Sequence, residues 1–332
     1  MLSALTLIFV GFHTSVSAQS NGLGITPKQS YTMQAGQTAS NTLTLTNLNQ
    51  VVPLTVHINV VDFEAKDQSG SAKLLQATDQ PQTPWSLKPY LTIPDTVTVP
   101  AGGTKQVPFT IKLPANIGAG TYYSAIEYTA ARNDNQQQVS LAASTATLMF
   151  INVPGNVSEL MTLEGFGFTN NNQNDSKYVT LFRHQPEYFA YQIKDSGNVA
   201  EQPAGSIVIK NMFGKTVANI NNANPKGQLV LIGQTRKFTG CNPESTAPEK
   251  VPLDSNCTPL HLRPGFYTAN LVIIYGQNGQ TARQITAVAH FWYLPWGWLI
   301  GIAIILALII VFIYWLYRRL RHRRHHGRAH HA

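Results

Sequence analysis

The sequence predicts an all-β chain closed by a single membrane-spanning α-helix. Residues 294–317, LPWGWLIGIAIILALIIVFIYWLY, run for 24 positions without a charge. At about 1.5 Å per residue they make a helix of roughly 36 Å, against a hydrocarbon core of about 30 Å. Before residue 294 the helical period is nearly absent, and short runs alternate apolar and polar side chains, as half-buried strands do. Turn residues punctuate those runs about every ten positions, the spacing of an antiparallel sandwich.

Residues 1–18, MLSALTLIFVGFHTSVSA, join a short apolar run to the small residues Val16, Ser17 and Ala18. A secretory signal peptide cleaved after Ala18 is expected. No Lys or Arg precedes the apolar run, so an uncleaved anchor is the competing reading, but the run is short for a span.

A first β-domain is expected over 19–154. Thr42-Leu43-Thr44-Leu45-Thr46 alternates and stops at Asn47, and 54–60 alternates again. A polar stretch, 66–84, reads as a long loop. Trp85-Ser86-Leu87, Leu91-Thr92-Ile93 and Val97-Thr98-Val99 follow, the last ending at Pro100-Ala101-Gly102-Gly103. Val107, Phe109, Ile111 and Leu113 mark the next strand. Gly120 leads into Tyr122-Tyr123-Ser124-Ala125-Ile126, and 133–138 reads as a hairpin connection to 139–153. Seven or so such strands predict an Ig-like sandwich.

A second β-domain, 155–293, repeats the plan. Residues 188–193 stop at Asp195-Ser196-Gly197-Asn198, as the earlier strand stops at Asn47. Strands at 207–209 and 216–220 flank the turn Phe213-Gly214-Lys215. Pro264-Gly265-Phe266-Tyr267-Thr268-Ala269 echoes Gly120-Thr121-Tyr122-Tyr123-Ser124-Ala125, and this Gly-x-Tyr resembles the corner at which a tyrosine opens a late sandwich strand. The last strands, 271–275 and 284–292, flank the turn Gly276-Gln277-Asn278-Gly279. The sequence therefore predicts two tandem Ig-like antiparallel β-sandwich domains joined near 154–159, plus one C-terminal transmembrane α-helix at 294–317 and a basic tail at 318–332.

Cys241 and Cys257 are the only cysteines. An even pair in an exported chain reads as a disulfide, here stapling a segment with three prolines and no periodicity. Metal ligation is the alternative, but that segment holds no His.

At the helix, Trp296 and Trp298 stand at one end and Trp315 and Tyr317 at the other, where aromatic rings meet membrane–water interfaces. Arg318, Arg319, Arg321, Arg323 and Arg324 follow, and positive-inside bias places the C-terminus in the cytoplasm and the β-domains outside. Six of the chain's 24 Lys and Arg lie in the tail and none of its 16 Asp and Glu does, leaving 18 against 16 elsewhere. The overall charge of +8 thus reports orientation and contact with anionic membrane lipid, and gives no support to nucleic-acid binding. Gly297-x-x-x-Gly301 offers close approach for a helix-mediated dimer, although glycine is common in such helices. The tail histidines His322, His325, His326, His330 and His331 allow a metal reading, set against a disordered basic tail.

The catalytic inventory is thin. His57, His184, His261 and His290 are scattered, and neither a zinc-type HExxH, nor a Gly-x-Ser-x-Gly elbow, nor a Gly-rich phosphate loop occurs. Asp62, Glu64 and Asp67 form the nearest approach to a carboxylate cluster; Ca²⁺ binding is one reading and solvated loop charge the other. No enzyme activity, cofactor or catalytic residue is assigned.

The order signal, β-domain, β-domain, helix and basic tail resembles the WxL-interacting cell-surface proteins of Gram-positive bacteria. The residues that carry this are Ala35-Gly36-Gln37, Val97-Thr98-Val99-Pro100-Ala101-Gly102, Gly120-Thr121-Tyr122-Tyr123-Ser124-Ala125-Ile126, Ser196-Gly197-Asn198-Val199 and Gly205-Ser206-Ile207-Val208-Ile209. The resemblance implies a peptidoglycan-binding first domain, a second domain that binds host matrix, and a C-terminal anchor. The cysteine-bounded excursion and the His/Arg tail depart from it. Two functions follow: a surface-anchored interaction or adhesion protein meeting cell wall or another surface protein, with Trp85, Tyr90 and Tyr123 as exposed or core aromatics; or an accessory subunit of a membrane complex, with the ectodomain as spacer.

Overall fold

The computed structural model describes residues 22–131, 144–241, 257, 259–276 and 282–326. Nineteen strands and one helix occur among them, and the chain divides into two compact units. The predicted connection at 133–138, the turn at 277–279 and residues 1–18 lie outside the described residues.

The first unit takes β1 (Leu23–Gly24), β2 (Lys28–Thr32), β3 (Thr38–Asn47) and β4 (Leu54–Val61); β5 (Phe63–Ala65) and β6 (Ala72–Leu74) follow, their residues 64–65 and 72–73 falling in the second unit. A short 3₁₀ turn, Lys88–Tyr90, precedes β7 (Leu91–Thr92), β8 (Thr96–Val99), β9 (Thr104–Lys112), β10 (Gly120–Ala131) and β11 (Ser144–Val153). Two sheets form, in the orders β1-β3-β9-β7 and β2-β11-β10-β4-β8. Their inward residues, among them Leu43, Leu45, Val56, Ile58, Phe109, Ile111, Ile126 and Tyr128, make one buried core. The alternation read in 42–46 is the burial pattern of β3, with Leu43 and Leu45 inside.

The second unit repeats this arrangement. It takes β12 (Met161–Thr169), β13 (Leu181–Phe182), β14 (Tyr188–Asp195), β15 (Ala204–Asn211), β16 (Thr216–Ile220), β17 (Thr235–Cys241), β18 (Gly265–Tyr275) and β19 (Arg283–Tyr293). The sheets are β12-β14-β17 and β13-β19-β18-β15-β16. In each unit a short early strand runs parallel to the last strand: β2 beside β11, and β13 beside β19. The two Gly-x-Tyr sequences do the same work, because Tyr122 Oη donates to the Gly118 carbonyl at 3.2 Å and Tyr267 Oη to the Arg263 carbonyl at 2.5 Å. Each is a tyrosine bonded four residues back at the opening of a late strand.

Segments 64–73 and 119–121 are counted in the second unit. There Gln68 accepts from the Lys237 N–H, and the Ala119 carbonyl accepts from Asn198 Nδ2. The stretch read as a loop at 66–84 therefore starts inside a hairpin, β5–β6, and Trp85–Leu87 docks beside the start of β10 through the Tyr123 N–H to the Trp85 carbonyl.

The helix α1 (Trp296–His326) starts two residues after the predicted boundary, because the Pro295 carbonyl accepts from Trp298 and Leu299 and serves as its cap. It does not stop at Tyr317: backbone helix continues through the arginines to His326, so 318–326 is no separate unstructured tail.

Candidate functional site

The end of the second unit from which α1 leaves gathers the features most suited to contact. Sheet register sets the geometry. Asn211 of β15 pairs with Tyr267 of β18, which pairs with Phe291 of β19; the next row holds Phe266 and Trp292, then Gly265 and Tyr293. Leu181 and Phe182 of β13 lie opposite Trp292 and Tyr293. The end of β13, the β15–β16 tip, the start of β18 and the start of α1 thus share one end of the sheet.

The chain turns from sheet to helix with two intervening residues, Leu294 and Pro295, and both are held. The Leu294 N–H donates to the Phe182 carbonyl at 2.9 Å, and Arg183 Nη1 donates to the Leu294 carbonyl at 3.2 Å. The same guanidinium lies 4.9 Å from the centre of the Trp296 ring, a cation–π contact that fixes both groups. A cavity of about 420 Å³ opens beside them, lined by Arg183, His184, Gln185, Glu187, Tyr188 and Trp296. Outward from this joint, Trp292 is 45 % exposed and its ring packs against Phe266, which also stacks on His290. Beyond Asn211, Met212 and Phe213 form the β15–β16 tip at 61 % and 85 % exposure. Asn211 Oδ1 accepts from the N–H groups of Phe213 and Lys215, and Gly214 takes the left-handed conformation (φ 78°) that the tight turn needs.

A second constellation, at the other end of β14, has no counterpart in the sequence reading. Asp195 and Glu201 are 0 % and 1 % exposed, and Glu159 is buried beside them. Asp195 Oδ1 accepts from the Gly197 N–H at 2.8 Å, and Glu201 Oε2 from the Gly276 N–H at 3.2 Å. Among the described residues, Asp195 Oδ2 and Glu201 Oε1 have no hydrogen-bond partner. Burial, offset in part by the Gly197 N–H and reinforced by the charge of Glu201, pushes the Asp195 carboxyl up to about 7. Burial, with the charge of Glu159 adding to it, pushes Glu201 up to about 7 as well. Values near neutrality suit proton transfer, but both groups are buried from solvent.

In the first unit, Asp62 is a buried hub and not the loop charge that its sequence neighbours suggested. It is 1 % exposed and accepts from Ser86 Oγ, Ser124 Oγ and the Gln82 N–H at 2.7–2.8 Å. Glu64 instead pairs with Lys73 at 2.8 Å, and Asp67 caps the Ser69 turn, whose hydrogen bonds hold its carboxyl below the usual range. Tyr123 is core, packed on Phe63 and Phe150, while half-buried Trp85 and Tyr90 flank Tyr122 edge-on. A cleft of about 440 Å³ runs beside β4, with Asp79, Asp95 and Lys88 on its walls.

The remaining sequence candidates fall into place singly. Cys241 and Cys257 are joined. His57, His184, His261 and His290 are all exposed, and His57 and His290 bond the hydroxyls of Thr96 and Thr268. Trp296, Trp298, Trp315 and Tyr317 lie exposed on α1, and Arg319 covers the Trp315 ring. Arg321, Arg323 and Arg324 are on helical backbone. A Cβ added at Gly297 or Gly301 would meet nothing, so that flank of α1 is open.

No protein family matches the chain, and no curated protein matches it. Among solved structures it is similar to a chaperone–tip adhesin complex of CFA/I fimbriae biogenesis, at 12 % identity over 81 % of this chain and 98 % of that one, with a TM-score of 0.39. The E. coli chaperone DraB aligns at 12 % identity over 80 % and 96 %, TM-score 0.35. The Salmonella enterica SafA pilin–SafB chaperone complex aligns at 10 % over 82 % and 99 %, TM-score 0.35. At these scores the likeness says nothing of what this chain binds.

Proposed function

We propose that the chain is a single-pass membrane-anchored surface protein that presents two Ig-like β-sandwich units to a macromolecular partner and performs no catalysis. The observation that carries the reading is α1: 24 residues, Trp296–Arg319, long and apolar enough to cross a bilayer, with none of that window buried against the rest of the chain. A core helix of a soluble protein would bury one face. The helix continues directly from the last strand of a sandwich, which supports β-units on the side from which α1 enters, and the arginines beyond Tyr317 favour that side being outside the cell. Partners of the kind the WxL-interacting resemblance implies, a cell-wall polymer or another surface protein, suit polar sandwich surfaces and the cleft beside β4. The open Gly297–Gly301 flank favours a second reading, in which α1 also packs on another membrane helix as part of a complex.

The test is membrane fractionation of cells expressing the full chain, followed by alkaline carbonate washing and protease treatment of intact cells. Resistance to carbonate and loss of the β-units to external protease are expected. Release by carbonate, or β-units protected until the cells are lysed, overturns the assignment.

A further inference from the structure

Register places Met212 and Phe213 at the level where α1 begins. Asn211 is level with Tyr267 and Phe291 across three strands. Phe213 lies two residues beyond that row, roughly 7 Å at strand spacing, and Leu294 three residues beyond it, roughly 10 Å. Trp296 opens the apolar span within the next two residues. Nothing among the described residues of their own unit covers this methionine and phenylalanine at the hairpin tip, and Asn211 and Gly214 hold the tip in its tight turn. Lys210 and Lys215, both exposed, flank the two apolar side chains, while Arg183 sits over Trp296 at the neighbouring strand end. Apolar tips ringed by cations, at the height of interfacial tryptophans, match the chemistry of the head-group boundary: rings and thioether below, cations against phosphates above.

We infer that the second unit is seated on the bilayer its own helix enters, with Met212 and Phe213 inserted among the lipid head groups and Lys210, Lys215 and Arg183 meeting lipid phosphates. This rests on α1 spanning the membrane. The rim formed by the β15–β16 tip, Trp292 and Trp296 is then a lipid contact surface, and the occupant is the leaflet that the first turn of α1 enters.

The test uses the full chain in phosphatidylcholine vesicles containing phosphatidylglycerol. Both native cysteines are in the disulfide, so a thiol introduced as Phe213→Cys takes an environment-sensitive nitrobenzoxadiazole label alone. Gln284→Cys, at the opposite end of β19, about 30 Å from Tyr293 by strand rise, is the comparison position. The label at 213 is expected to shift to the blue, to lose most of its emission to nitroxide-bearing lipid and to resist iodide, while the label at 284 does the reverse. In a chain labelled at Met212→Cys, adding Phe213→Asp is expected to abolish the lipid quenching; the tip is solvent-exposed, so the fold is unchanged. Carbonate-resistant chains whose label at 213 behaves like that at 284 overturn the seating but leave the anchoring intact. Shielding from iodide without nitroxide quenching shows a protein contact at the tip and overturns the lipid assignment. Chains that carbonate strips from the vesicles overturn the anchoring itself, and the seating with it.

Discussion

Neutralising Asp195 is expected to stabilise the second unit at alkaline pH and to do nothing of the kind in acid. In the folded chain the Asp195 and Glu201 carboxyls are raised from 3.8 and 4.5 to about 7. Below about pH 3 both are protonated whether the chain is folded or not, and they cost little. As pH climbs from about 4 to about 7, the unfolded chain releases these protons while the folded one keeps them, so stability falls. Above about 7 the loss is complete. At 1.36 kcal/mol per pH unit, Asp195 alone accounts for up to about 4 kcal/mol and Glu201 for up to about 3 kcal/mol. The two interact and titrate as a pair, so roughly 3–5 kcal/mol together is the reasonable total. For a unit of this size that is on the order of 10 °C in Tm. Asp195→Asn keeps the oxygen that accepts from Gly197 and removes a carboxylate whose charge burial and Glu201 disfavour. The assay is calorimetry of the full chain in detergent micelles across this pH range, following the transition that reduction of Cys241–Cys257 displaces. The wild type should melt lower as pH rises, and the variant should melt higher than wild type at alkaline pH with a flatter profile. A wild-type Tm flat from about pH 5 to 8.5, or a variant destabilised equally at both ends, would refute the reasoning.

Three further outcomes follow from single contacts. Asp62→Ala strands two buried serine hydroxyls and the Gln82 N–H, and should lower first-unit stability by about 3 kcal/mol in urea unfolding. Tyr267→Phe removes the bond to the Arg263 carbonyl and should cost about 1 kcal/mol; Tyr122→Phe should cost less, because its hydroxyl is wetter, and equal losses would count against that ranking. Reducing Cys241–Cys257, 16 residues apart, should cost the second unit about 3 kcal/mol by the chain-entropy relation, seen as a lower Tm for that unit alone.

What the sequence made legible was what local periodicity encodes. Strand β3 reads directly, because Leu43 and Leu45 alternate inward against polar neighbours. The paired Gly-x-Tyr corners reveal the tandem repeat, because each is a four-residue device. Strand β12 was missed for a definite reason. Its sequence, MTLEGFGFT, loses alternation where the register shifts between Leu163 and Gly165. Its glycines answer to a distant ring: a Cβ at Gly165 would stand 2.9 Å from Tyr178. The buried carboxylates were hidden because Asp195 opens the sequence Asp-Ser-Gly-Asn, which reads as a solvated turn, and Glu201 follows soon after. Asp62 was hidden likewise, since the serines that bury it lie 24 and 62 residues away. The rim at the base of the second unit draws on residues 183, 213, 292 and 296, and only strand register brings them to one level.

The joint between β19 and α1 decides how those parts act together. A display domain on a flexible stalk would carry a Gly/Ser- or Pro-rich linker free to reorient. Here Tyr293 is still paired in the sheet, Leu294 is bonded on both its N–H and its carbonyl, and the Pro295 carbonyl caps the helix. No residue is left over to swivel, so, with α1 spanning the bilayer as proposed, its tilt sets the tilt of the second unit. The two ends of that unit then meet different surroundings. Tyr188, at the start of β14, lines the cavity beside Trp296, whereas Asp195 closes the same strand seven residues on, and Gly276 follows the far end of β18. The lipid contact inferred above would thus be confined to one end by geometry. The pH-sensitive carboxylates lie at the end of the unit opposite α1, where burial sets their titration.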